Sequence, residues 1–270
     1  MLVAIRRKIG SWIAQYLSKP IPNYQPFSTY EIPVLESVLQ PGDVILVEGD
    51  TRVSSAIKYL TQSTWSHAAM YIGEQPGVAF PEGRDDEPNS SPNVLIEAEL
   101  GFGVIATPLS KYRNFNIRIC RPVNLTEEDR QTVVQTMINN LGKNYDLKHI
   151  FDLARYLFST PPVPIRFRRR MLALGSGDPS RAICSSLVAE TFQSIQYPIL
   201  PTIEKTNPSL ASSYRAKEIY HIRHHSLFTP KDFDVSPYFQ IIKPTIENGF
   251  NYQSLVFNVE NETKGELKNV

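Results

Sequence analysis

The sequence predicts an α+β fold in which an antiparallel sheet packs against helices, and three observations carry this. Short apolar runs bounded by Pro, Gly, Asn or Asp crowd residues 42–121. Segments with helical spacing follow, over 126–141 and 183–195. Strands grouped ahead of helices, rather than alternating with them, favour antiparallel pairing over crossovers. Apolar residues make up 41% and charged residues 20% of the 270, an ordinary balance for a chain that buries a full core.

Taken in order, the first element is an apolar stripe. Leu2, Ile5, Ile9, Trp12, Ile13, Tyr16 and Leu17 recur at helical spacing beside Arg6, Arg7 and Lys8. A helix docked on its own domain is the commoner meaning; peripheral contact with an anionic membrane is the sharper one. Residues 18–40 hold proline and little periodicity, and read as a lead-in arm.

Gly-Asp-Val-Ile-Leu-Val at 42–47 follows a Pro-Gly turn and reads as a strand. Residues 54–60 suit a short helix, and His-Ala-Ala-Met-Tyr-Ile at 67–72 reads as a strand that ends at Gly73. Residues 75–93 are rich in Pro, Gly, Asp, Asn and Ser, which predicts an exposed loop. Strands over 94–97 and 103–107 are placed to pair across Gly101-Phe102. Residues 116–121 alternate, with Ile117 and Ile119 inward and Asn116 and Arg118 outward, predicting a strand with one buried face.

Thr-Glu-Glu-Asp at 126–129 resembles a capping box. The helix it opens carries Val133, Val134, Met137, Ile138 and Leu141, and Gly142 closes it. A second helix is expected over 145–158. Residues 159–179 are irregular, with three prolines and the basic run Arg166, Arg168, Arg169 and Arg170. The next helix bears Ile183, Leu187, Val188, Phe192 and Ile195 on one side. Short apolar segments at 238–242 and 255–257 precede a frayed tail.

Several function classes are disfavoured early. A formal net charge of +1 creates no global field for nucleic acid. Two cysteines, Cys120 and Cys184, make neither a disulfide framework nor a CxxC pair, which fits a reducing, cytoplasmic setting. No stretch approaches the ~18 apolar residues of a membrane span. The His221, His224 and His225 cluster lacks an acidic ligand at a recognised spacing, so no metal and no cofactor is expected.

Cys184 lies near the start of a helix, with Asp178 or Ser180 available as caps. A helix N-terminus stabilises a thiolate, the nucleophilic form, and offers free N–H groups to an oxyanion. Alone, this residue reads slightly better as a buried structural cysteine. His67 changes the balance: an imidazole at a strand mouth, directly after Trp65 and Ser66, can take and return a proton. A third group should accept the other ring N–H. Glu97 and Glu99 share a strand face, and alternation does not choose between them.

These residues sit in a recognisable order. Pro-Gly-Asp-Val-Ile-Leu at 41–46, Ser-His-Ala-Ala-Met-Tyr-Ile-Gly at 66–73, Ile-Glu-Ala at 96–98, Gly-Lys-Asn-Tyr-Asp at 142–146 and Ile-Cys-Ser-Ser-Leu-Val at 183–188 resemble the circularly permuted papain-like amidases of the NlpC superfamily, the YiiX/YaeF-like group. The resemblance implies a permuted papain-like fold in which His precedes Cys along the chain. It implies that Cys184 is the nucleophile, His67 the base and Glu97, rather than Glu99, the orienting residue. It places Tyr145 near the site without a firm role; Trp65 and Ser66 are expected to bind substrate or support the acting groups.

The organisation expected on this basis is an amphipathic helix and arm over 1–39, a catalytic domain over 40–245 and a tail over 246–270. The expected activity is cysteine-dependent hydrolysis of an amide or ester through a thioester on Cys184, acting on a small acylated substrate or a peptide. Two rivals keep the fold. One is a lipid acyltransferase or thioesterase at a membrane surface, mildly favoured by the amphipathic N-terminus and the Arg-rich segment. The other is a non-catalytic binding module.

Overall fold

A computed structural model describes residues 15–22, 24, 27–75, 80, 92–143, 183–205, 218–221 and 223–254. The apolar runs become strands β1 (Val44–Val47), β2 (His67–Glu74), β3 (Asn93–Glu99), β4 (Gly103–Pro108) and β5 (Ile117–Pro122). Strands β6 (Thr202–Lys205) and β7 (Glu218–His221) pair with each other, and β8 (Phe239–Ile242) returns to the main sheet. That sheet runs β4-β3-β2-β1-β5-β8, and every neighbouring pair is antiparallel. The α+β architecture is therefore the one the sequence predicts.

Six short or medium helices accompany the strands among the described residues: α1 (Ile32–Glu36), α2 (Arg52–Thr61), α3 (Glu127–Ile138), α4 (Ile183–Gln193), α5 (Pro230–Asp234) and α6 (Pro244–Glu247). Local chemistry sets their starts. Thr51 accepts the Ser54 N–H at 3.2 Å to open α2, and Thr126 accepts the Asp129 N–H at 3.1 Å to open α3. Glu127, Glu128 and Asp129 then place negative charge on the positive end of the α3 dipole.

Both faces of the sheet are covered. Val44, Leu46, Ala68, Met70 and Ile96 pack with Val133 and Met137 of α3 and with Leu187, Val188 and Phe192 of α4. Ile45, Val47, Ala69, Leu95, Ile117 and Ile119 pack on the opposite face with Leu35, Leu39, Leu109 and Tyr112. This explains why β1 is apolar without alternation: all four of its residues are buried.

Two expectations are corrected by this burial. β5 has two packed faces rather than one, because Cys120 is fully buried on the α3/α4 side. α4 is also more than amphipathic: every described side chain from 184 to 189 is buried, and Glu190 is the first exposed residue. Ser185 is held by donating to the Phe228 carbonyl at 2.8 Å, which fastens a second layer over the helix.

The lead-in segment is part of the fold. Leu35, Val38 and Leu39 seal one sheet face, and Leu17, the last residue of the N-terminal stripe, is fully buried. Residues 1–14, the 145–158 helix, the 159–179 segment with its arginines and the 255–257 run lie outside the described residues, as does most of the 75–93 loop. The base of that loop is closed by the Gln75 N–H donating to the Pro92 carbonyl at 2.9 Å. Among the described residues no helix is long and apolar enough to cross a membrane.

Candidate active site

The site grows from the ends of β2, β3 and α4. His67 is the first residue of β2 and pairs with Val47 of β1. Register then determines which acid it meets. Glu97 is paired with Ala69, the next residue on the same side of β2, so its carboxyl lies diagonally across from the imidazole. Glu97 is fully buried and its Oε2 contacts His67 Nε2. Glu99, two residues on, is partly exposed and pairs with Lys111 at 3.1 Å. Geometry thus separates the two acids that alternation left equivalent.

Three further side chains converge on Glu97, and spacing gave no sign of them. Lys111 donates to Oε1, Thr107 donates to Oε1 at 2.7 Å, and Tyr112 donates to Oε2. Lys111 and Tyr112 belong to a 3-10 turn, Leu109–Tyr112, that folds under the sheet directly after β4. Burial alone would push the Glu97 carboxyl up, but the charges of Lys111 and His67 and their hydrogen bonds hold it well below the usual carboxylate range.

Cys184 reaches the same place from the opposite layer. It is the second residue of α4 and is 5% exposed. The His67 ring, with the backbone at Ala68 and Ser185, supplies the charge and polar groups that act on its sulfur. With Nε2 committed to Glu97, Nδ1 is the ring nitrogen left to face the thiol. Burial would raise the Cys184 thiol, yet the His67 charge and these polar groups outweigh it and the pKa is lowered. Burial likewise opposes a charge on His67, but Cys184 and Glu97 overcome it and push the imidazole up.

The other cysteine supplies an internal contrast. Cys120 is fully buried too, but burial, with Asp234 nearby, pushes its thiol up. One cysteine is set for thiolate chemistry and the other against it.

The remaining predicted positions fall into three groups. Ser66 is buried and its Oγ accepts the Gly49 N–H at 2.9 Å, so its hydroxyl holds the β1–α2 connection to the start of β2. Trp65 is buried at the foot of a separate groove, its indole N–H donating to Asp234 at 3.1 Å. Tyr145 lies outside the described residues. The histidine run is divided between β7, which ends at His221, and a 3-10 turn, where His224 Nδ1 accepts the Ser226 N–H at 3.3 Å. Among the described residues no group of three or more His, Cys, Asp or Glu is gathered so as to hold a metal.

Comparison with known proteins bears on this arrangement. The family model described as permuted papain-like amidase enzyme, YaeF/YiiX, C92 family, matches residues 38–159. That segment includes His67 and Glu97 and stops short of Cys184. None of the curated proteins matches the chain. A solved structure described as the metalloprotein yiiX from Escherichia coli O157:H7 is similar at a TM-score of 0.42 and 18% identity, covering 82% of this chain and 98% of that one. Over residues 38–159, the chain is thus similar to the permuted papain-like amidases of the YaeF/YiiX type.

Proposed function

We propose that the chain hydrolyses an amide or ester of a small acylated substrate or peptide through a thioester on Cys184. One arrangement carries the reading: the His67 ring contacts the buried Glu97 carboxylate on one side and interacts electrostatically with the Cys184 sulfur on the other.

The chemistry follows from that chain of contacts. With the thiol lowered and the imidazole raised, the proton resides on His67 and the sulfur is a thiolate. The thiolate attacks the acyl carbon, and the carbonyl electron pair moves onto oxygen. Cys184 is in the first turn of α4, where backbone N–H groups have no intrahelical acceptor, so its own N–H is available to that oxyanion.

Collapse of the tetrahedral adduct breaks the bond to the amine or alcohol, which takes the His67 proton as it leaves. Neutral His67 then removes a proton from water. The resulting hydroxide attacks the thioester, and the carboxylic acid departs as the thiolate re-forms. Glu97 accepts the hydrogen bond of the Nε2–H throughout, fixing the ring and stabilising its charged form.

The direct test is to quench the enzyme in acid during turnover of a 4-nitrophenyl ester and weigh it. An acyl mass increment that maps to Cys184, and that hydroxylamine removes, is expected. Turnover by Cys184→Ala at the wild-type rate would exclude the mechanism.

A further inference from the structure

A groove of about 390 Å³ opens beside the proposed site, walled by Trp65, Arg118, Lys231 and Asp234 with the turn at 62–64. Trp65 is two residues from His67, which limits their Cα separation to about 7.6 Å. Leu46 pairs with Ala68 on one side and with Arg118 on the other. Arg118 therefore stands about 10 Å, two strand spacings, from Ala68, the residue that follows His67. Leu46 and Ala68 face the α4 layer, so Arg118, in register with both, lies on the side that carries Cys184.

The groove has more donors than its own acceptor can satisfy. Both oxygens of Asp234 are occupied, one by the Trp65 indole N–H at 3.1 Å and the other by Arg118. That single carboxylate faces two cations. A guanidinium has five N–H donors, and the Asp234 bond is the hydrogen bond Arg118 makes among the described residues. Lys231 makes one long bond, 3.3 Å, to the Thr61 carbonyl. The Arg118 guanidinium lies over the Trp65 ring, 4.9 Å from its centre, which holds a flat cationic surface toward the cavity.

We propose that this groove binds a carboxylate of the substrate, received by Arg118 and Lys231 against the Trp65 wall while the scissile bond lies at Cys184. A planar guanidinium fork with an adjacent ammonium matches a carboxylate in both shape and charge. The proposal rests on the hydrolase reading for its second half, and on the groove alone for its first.

Two measurements separate these halves. The chain has two tryptophans, Trp12 and Trp65, so in Trp12→Phe the indole emission reports on the groove. Glutarate is expected to change that emission saturably, glutaramide is not, and Lys231→Met should weaken the glutarate response about 10-fold. Arg118→Met should do the same if it folds; Lys231→Met keeps the test open if it does not. Equal responses to glutarate and glutaramide, or none to either, would overturn the groove assignment.

In turnover, mono-4-nitrophenyl glutarate is compared with 4-nitrophenyl valerate, and 3-carboxy-4-nitrophenyl butyrate with 4-nitrophenyl butyrate. The charged ester of at least one pair should have the higher kcat/KM by about 10-fold, with the preference lost in Lys231→Met. Cys184-dependent turnover without any charge preference would end the substrate proposal and leave the hydrolase reading intact. No Cys184-dependent turnover, with glutarate still bound, would do the reverse.

Discussion

His67 and Glu97 lie on neighbouring antiparallel strands, one diagonal step out of register, and they meet at the end of the sheet where β2 begins. Ala69 occupies the rung directly opposite Glu97. The imidazole therefore crosses to the carboxylate along the diagonal, and the ring is left pointing its other nitrogen toward α4. A one-residue slip of β3 would turn Glu97 to the α4 face and remove the acid from the imidazole. The strand register is in this sense a condition for the ionic chain Glu97–His67–Cys184.

Glu97→Gln should retain the fold and lower kcat by about 10²–10⁴-fold, since the amide cannot neutralise an imidazolium. The same variant carries a stability signature. The folded Glu97 carboxyl is depressed, so it contributes stability above its unfolded pKa and loses it as pH falls through the folded one. Urea midpoints of wild type and Glu97→Gln should therefore differ most near neutrality and converge in acid. A gap that stays constant down to pH 3 would show that the charge of Glu97 contributes nothing to folding.

Alkylation of Cys184 by iodoacetamide should titrate with a midpoint below that of an ordinary thiol, because the sulfur's pKa is depressed in the native protein. His67→Ala removes the charge that opposes burial, and burial remains. The midpoint should then rise above the ordinary thiol value. Cys120 serves as the control within one chain: buried and raised, it should resist the reagent until the protein unfolds. Labelling of both cysteines at one rate would contradict the electrostatic contrast between them.

The strands were legible because their signals are local. The Pro-Gly turn, the apolar run of β1 and the Glu99–Gly103 hairpin are each complete within about ten residues. The second face of β5 was hidden, because a cysteine that shares its strand face with Arg118 gives no hint that Cys120 meets α3 and α4. Of the groups now around the imidazole, Cys184 and Glu97 could be named through the ordered motifs. Lys111 and Tyr112 could not, since a 3-10 turn of Leu-Ser-Lys-Tyr has no periodic signature and its meaning comes from where β4 delivers it. Trp65 and Ser66 were noticed for their position beside His67, but only three-dimensional contacts distinguish a groove wall from a backbone clamp.

Gly49 tests the clamp. A Cβ at this position would lie 2.3 Å from Ser54 Oγ and 3.0 Å from Ser66 Oγ. Gly49→Ala must push both hydroxyls aside, and Ser66 is the residue before His67. Overpacking of this kind costs about 1–3 kcal/mol, measurable as a lower urea midpoint. Adding Ser54→Ala removes the nearer oxygen and should restore part of the loss. Gly49→Ala with wild-type stability would mean the connection can shift freely, and the clamp would not be a constraint.

Lys111 supplies the cation that offsets burial of Glu97, and Tyr112 supplies a neutral donor to the oxygen that also meets His67. Their removal should therefore act differently. In Lys111→Met the Glu97 carboxyl protonates at a higher pH, so the acid limb of kcat/KM moves up. At the alkaline limb Glu97 is ionised and, without Lys111, its charge bears on His67 uncompensated, so the imidazole keeps its proton to higher pH and that limb moves up as well. Both limbs therefore move up together, with a plateau lowered by less than about 10-fold. Tyr112→Phe leaves the charge balance intact, so both limbs should stay in place while the plateau falls. Equal, unshifted profiles for the two variants would show that Lys111 acts by packing alone, and that the charge of Glu97 is held down by His67 without it.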